Sequence, residues 1–128
     1  MKKLSWLLRV VGAIQIALGI LYLFAPDFFL SSMGHSIPPA DLNYPLAMLA
    51  ARFIAYGVAF FVIAPKPTEY RLWINMMILI QSIDLSTGIF YTSTGIIGLS
   101  LSGFPMFNAT WIIVLLLLWR PKRAEVQA

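Results

Sequence analysis

Residues 46–64 read LAMLAARFIAYGVAFFVIA and residues 72–91 read LWINMMILIQSIDLSTGIFY, joined by the short polar turn Pro65-Lys66-Pro67-Thr68-Glu69-Tyr70-Arg71. About 20 consecutive apolar residues are enough to cross the hydrocarbon core of a bilayer as a helix. Both runs meet that length, and the turn is too short for anything but an antiparallel helix pair. Each run also holds a single charge, Arg52 in the first and Asp84 in the second. A lone charge at the bilayer centre costs about 2.5–3.5 kcal/mol on insertion scales. Such residues therefore carry more information than the apolar ones around them.

Two further apolar runs lie outside this pair. Leu4–Phe24 is closed by Ala25-Pro26, and a last run ends at Trp119, before Arg120-Pro121-Lys122-Arg123. Lys2 and Lys3 ahead of the first run resemble the opening of a signal peptide. The run exceeds an h-region of about 7–15 residues, however, and no A-x-A-like site follows, so it reads as an uncleaved first span. The last run begins either at Ile96, passing through Pro105, or near Phe104, and the reading adopted is 104–119. Four spans result, at about 4–24, 45–64, 71–91 and 104–119. The fold class is all-α, a single integral-membrane bundle of four transmembrane helices.

Composition agrees. The 128-residue chain is 60% apolar and 11% charged, with no cysteine. A soluble domain has roughly 45–50% apolar and about 25% charged residues. The absence of cysteine excludes thiolate catalysis, disulfide exchange and sulfur-ligated metals. The net charge of +4 does not point to nucleic acid, because the basic residues flank apolar runs, as topology signals and lipid-headgroup contacts do.

Lys2, Lys3 and Arg9 lie at the first end, Lys66 and Arg71 beside the middle turn, and Arg120, Lys122 and Arg123 at the last end. Residues 25–45 and 92–103 have no Lys or Arg. The positive-inside rule then places both termini and the middle turn in the cytoplasm, in the inner membrane of a cell. Trp6, Tyr22, Tyr44, Tyr70, Trp73, Tyr91 and Trp119 fit interfacial aromatic belts. In the loop after the first span, Phe28-Phe29-Leu30 suggests an interfacial helical turn, and Gly34 with Pro38-Pro39 breaks its continuation.

Depth is countable from the middle turn. Arg52 lies 12 residues before Ala64 and Asp84 lies 13 after Arg71, so both sit about 18–20 Å in along their helices at 1.5 Å per residue. Opposite charges at matching depth on neighbouring helices are expected to form a buried pair. Gln81 shares a stripe with Asp84, and Gln15 on the first helix, between Gly12 and Gly19, lies at a depth close to that of Gln81. Arg52, Asp84, Gln81 and Gln15 thus form the candidate intramembrane polar site, with Arg9, Asn75, Tyr56 and Asn108 as additional members. The four-spaced alanines Ala47, Ala51, Ala55 and Ala59 are expected to pack near Arg52, since small residues let helices approach closely. Thr68 is a candidate cap for the third helix.

Two readings of the polar site stay open: glue that fixes helix faces and register, or a polar cavity for a small polar molecule, a headgroup or protons. Arg9 has a plain alternative in snorkelling to the interface. His35 is the only histidine, and nothing near it has metal-ligand spacing. No catalytic residue, metal or cofactor is assigned. There is no H-E-x-x-H, glycine-rich phosphate loop or G-x-S-x-G nucleophile motif.

Arg9-x-x-Gly12 followed by Gly19, Tyr22 and Pro26, within a four-span plan that has a polar first outer loop and a basic tail, resembles small bacterial membrane proteins of the DoxX-like and BphX-like kind. The resemblance implies an accessory membrane protein and transfers no site residue. The length also invites comparison with small multidrug exporters, whose first helix carries a carboxylate; here that helix has Gln15 instead. The leading expectation is a non-enzymatic inner-membrane accessory or interaction subunit. The bilayer, another membrane protein or a second copy of the chain is its partner. A small transporter or permease component with a polar intramembrane path is the alternative, and a lipid-modifying or redox-accessory enzyme the third.

Overall fold

A computed structural model describes residues 2–122. Among them there are five α-helices, two short 3-10 turns and no strand. The helices are α1 (Lys2–Phe24), α2 (Pro26–Ser32), α3 (Asn43–Ile63), α4 (Arg71–Ser93) and α5 (Leu99–Trp119), and the turns are Ala40–Leu42 and Pro67–Glu69. α1, α3, α4 and α5 are each long and apolar enough to cross a membrane. At 21–23 residues they extend about 32–35 Å, against a hydrocarbon core of about 30 Å. The all-α architecture and the number of candidate spans are as the sequence implies. Arg123 and Glu125 in the tail lie outside the described residues.

The breaks follow local chemistry. α1 stops at Phe24 because Ala25 precedes a proline and leaves the helical region, with φ −141° and ψ 53°, as clash with the proline ring requires. Pro26 then opens α2, where its missing N–H is no loss. α2 closes in a Schellman motif: the Gly34 N–H donates to the Ser31 carbonyl at 3.0 Å and the His35 N–H to the Leu30 carbonyl at 2.9 Å, with Gly34 at φ 96°. A helical turn is thus present at Phe28–Leu30, as expected. α4 starts at Arg71 with Tyr70 as its N-cap and no side-chain cap. Thr68 falls inside the preceding 3-10 turn rather than capping the helix. α5 begins at Leu99, earlier than the expected start at Phe104, and carries Pro105 inside it. The proline withholds a single N–H, the one that would bond the Leu101 carbonyl.

Contacts divide the chain into two units, one being Leu8–Val62 and the other the start of the chain up to Leu7 together with Ile63 onward. In the first unit α1 and α3 meet through glycine. A Cβ at Gly57 would lie 2.7 Å from the Gly12 carbonyl oxygen, and one at Gly19 would lie 3.0 Å from the Ala50 carbonyl oxygen. Backbones approach this closely only where side chains are absent. Tyr22 fastens α2 to the pair, stacking on Phe53 at 5.8 Å and meeting the Phe29 ring edge-on at 5.0 Å. The alanine stripe expected to pack near Arg52 has Ala51 and Ala55 exposed, and it is Ala50 and Gly57 that are buried on α3.

In the second unit α4 packs along α5. Ile74, Met77 and Gln81 are buried on α4, and Ser102, Ala109, Ile112 and Leu116 on α5, at the 3–4-residue spacing of a helix face. Hydrogen bonds tie the pair at both ends. Thr92 Oγ1 donates to Ser102 Oγ at 2.6 Å. At the opposite end Arg71 Nε donates to the Pro121 carbonyl at 2.8 Å and Arg120 Nη1 to Asn75 Oδ1 at 2.8 Å.

Candidate intramembrane polar site

Arg52 lies near the middle of α3, and its side chain is exposed. Its guanidinium Nη1 donates to the Met48 carbonyl one turn back, at 2.8 Å. That bond gives the cation one acceptor without moving it off the helix surface. Arg has five N–H donors and no acceptor, so most of its hydrogen-bonding capacity faces outward.

Asp84 lies near the middle of α4 and is also exposed. Thr87 and Tyr91, one and two turns further along the same face, are exposed as well. The expectation of a buried Arg52–Asp84 pair is therefore corrected: neither side chain is buried, and Arg52 is turned onto its own helix. Counting residues from the turn gives a position along each helix. It does not fix rotation about the helix axis, and rotation decides whether two side chains face each other.

The two glutamines differ from the charges. Gln15 is 2% exposed and Gln81 3% exposed. Gln81 Nε2 donates to Met77 Sδ at 3.4 Å, a weak bond because a thioether is a poor acceptor. Gln15 Nε2 is buried with no hydrogen-bond partner among the described residues, and so is Asn43 Oδ1. Leaving a buried polar group unpaired costs about 1–3 kcal/mol, so Gln15 is a strained point of the α1 face that also holds Val11, Gly12 and Gly19.

The remaining candidates fall apart by role. Arg9 is exposed and Tyr56 half-buried. Asn75 belongs to the α4–α5 end through its bond with Arg120. Asn108 accepts a hydrogen bond from Trp111 Nε1 at 3.1 Å within α5, a contact inside one helix. His35 is half-buried, and its backbone N–H completes the α2 cap.

A basic cluster gathers where the second unit holds the start of the chain against the end of α5. Lys3 Nζ sits 5.7 Å from the centre of the Trp119 ring, within cation–π range. Lys2, Lys3, Leu4 and Trp119 line a shallow cleft. Ser5 Oγ donates to the Ala64 carbonyl at 2.6 Å. Sequence reading placed these cations at the interface but not in contact with one another's elements. The i, i+3 and i, i+4 patterns that locate helix faces carry no information about which ends meet.

Chemically, the described residues offer two opposite charges on helix surfaces at mid-span and a buried amide lacking an acceptor. They hold no cluster of three metal-ligating side chains among them. Comparison of the chain with protein-family models, with curated proteins and with solved structures returns no match in any of the three.

Proposed function

We propose that this chain is an integral inner-membrane subunit that acts by binding another membrane protein chain rather than by turnover. The observation that carries this reading is the exposure of Arg52 and Asp84 in the middle of two membrane-spanning helices. Hydrocarbon solvates neither group. Each would cost about 2.5–3.5 kcal/mol facing lipid, and the low-cost remedy is an opposite charge supplied from outside. The polar stripe Asp84-Thr87-Tyr91 adds hydrogen-bonding groups of the kind that join helices within a bilayer. Large apolar side chains exposed elsewhere, among them Phe24, Phe28, Val62 and Leu118, suit contact with lipid tails. The basic ends suit anionic headgroups on the cytoplasmic side. The four-span plan keeps the likeness to DoxX-like proteins as part of this proposal.

The test is extraction of the tagged full chain into native nanodiscs without detergent, followed by native mass spectrometry. The expected result is a complex larger than one 14.3 kDa chain, reduced by Arg52→Gln or Asp84→Asn. A single chain in each disc, unchanged by either substitution, overturns the reading.

A further inference from the structure

We propose that the partner is a second copy of the same chain, and that Arg52 on α3 of one copy pairs with Asp84 on α4 of the next. This rests on the binding-subunit reading above and names its partner.

Three observations point to self-pairing. First, the chain carries both members of the pair, and both are exposed. Any other partner would have to bring its own anion and its own cation to the right heights. A closed assembly of identical chains uses every charge without adding one.

Second, the heights agree. Counted along each helix from the turn that joins them, Arg52 lies 11 residues before the end of α3 and Asp84 lies 13 after the start of α4. Those counts correspond to about 17 and about 20 Å. Copies inserted in one orientation therefore present the cation and the anion at nearly one level, and α3 of one copy runs antiparallel to α4 of the other.

Third, small exposed side chains adjoin both charges. Ala51 and Ala55 beside Arg52 are exposed, as are Ser86 and Thr87 beside Asp84. Small side chains let two helices come close enough for a charge-assisted bond. The Arg52–Met48 bond holds the guanidinium at the surface of α3 and leaves its other N–H groups to the incoming carboxylate.

The test uses charge exchange between copies. Arg52→Asp and Asp84→Arg each place two like charges in one chain, so each variant alone should lose self-association by about tenfold or more. Co-expressed with different tags, the two variants restore both contacts in the mixed pair. The substituted position of one chain meets the substituted position of the other, an aspartate against an arginine. The two unsubstituted positions meet as the native Arg52 and Asp84. The expected result is recovery of the mixed complex and of neither self-complex. Pairing within one chain predicts the reverse, rescue only when both substitutions sit in the same chain.

A second measurement does not depend on charge variants folding. The chain has no cysteine, so introduced thiols are unambiguous. Met48→Cys on one tagged copy and Thr87→Cys on another lie one turn deeper than the paired charges, at exposed positions, and should cross-link in native membranes. Val62→Cys with Thr87→Cys, whose depths differ by more than about 20 Å, should not. Absence of the Met48–Thr87 cross-link together with no mixed complex overturns the proposal.

The two levels separate cleanly. If the wild-type chain is recovered with a different membrane protein and never with itself, self-pairing fails and the binding-subunit reading survives. If it is recovered alone, both fail.

Discussion

At the scale of single residues, two kinds of position stand apart: those that let backbones touch and those that place charge where solvent is apolar. Gly57 is of the first kind. A Cβ there would meet the Gly12 carbonyl oxygen at 2.7 Å and the Ile16 nitrogen at 3.0 Å. Both are main-chain atoms, and neither yields as a side chain does. Gly57→Leu should therefore destabilise the α1–α3 seam by about 1–3 kcal/mol, read as a lower unfolding temperature by circular dichroism in detergent. Ala51→Leu, on the exposed side of the same helix, should stay within about 0.5 kcal/mol of wild type. Equal losses from both would show that α3 uses another face. Gly12 and Gly19 stand seven apart in the sequence on either side of Gln15, and that spacing marks the face α1 presents to α3. At 100° per residue, seven steps return a side chain to within about 20° of its start, whereas alanines spaced by four drift about 40° per step. Over Ala47 to Ala59 that drift carries the stripe around the helix. Ala50 and Gly57, seven apart, keep one face and make the contact.

At the scale of elements, the α4–α5 pair is held at its basic end by two hydrogen bonds, one between side chains 45 residues apart and one from a side chain to a backbone carbonyl 50 residues away. The Arg120–Asn75 bond is partly buried, and a hydrogen bond to a charged group contributes about 1.5–3 kcal/mol. Asn75→Ala, Arg120→Gln and the double variant form a thermodynamic cycle, with a coupling of about 1 kcal/mol or more expected from unfolding midpoints. Strict additivity would assign the bond no energetic role. The loop glycines give a second prediction with a change of sign. Gly34 and Gly95 have φ of 96° and 80°, where an L side chain costs about 1–2 kcal/mol, so Gly34→Ala and Gly95→Ala should each lower stability. Gly103, inside α5 with open space where a Cβ would stand, should gain up to about 1 kcal/mol as alanine. The same unfolding measurement reads all three. Gly34 is legible in sequence as a breaker, because few other residues tolerate that backbone well. The start of α5 is not legible in the same way. Gly103 and Pro105 read as a boundary, yet the helix starts at Leu99, and the Thr92–Ser102 bond ties those first turns to α4. A contact between hydroxyls ten residues apart leaves no periodic signature in sequence.

At the scale of the whole molecule, span count and charge distribution are what the chain states most plainly. Four apolar runs of bilayer length become four helices of bilayer length. Residue number fixes how far along their helices Arg52 and Asp84 lie, while packing fixes which way they face, so position along the helix is legible in sequence and exposure is not. Orientation follows from the same one-dimensional information. Described cations gather in the first turns of α1, at the turn between α3 and α4 and after α5, whereas residues 25–45 and 92–98 have none. Each Lys or Arg near an anionic leaflet contributes roughly 1 kcal/mol, and the bias acts through short loops such as these. Both ends and the 64–70 turn should therefore be cytoplasmic. Green fluorescent protein fused after the last residue should fluoresce. Alkaline phosphatase inserted within residues 34–38 or 94–98 should be active, and the same enzyme within 66–68 should not. Shifting the bias should shift the result: Lys2→Ala with Lys3→Ala, combined with Ser36→Lys and Ile37→Lys, should yield a mixed population in which both reporters give signal. Phosphatase activity from a fusion at the last residue of the wild-type chain would put the basic ends outside, and the residue counts that give Arg52 and Asp84 their depths would then start from the wrong face of the membrane.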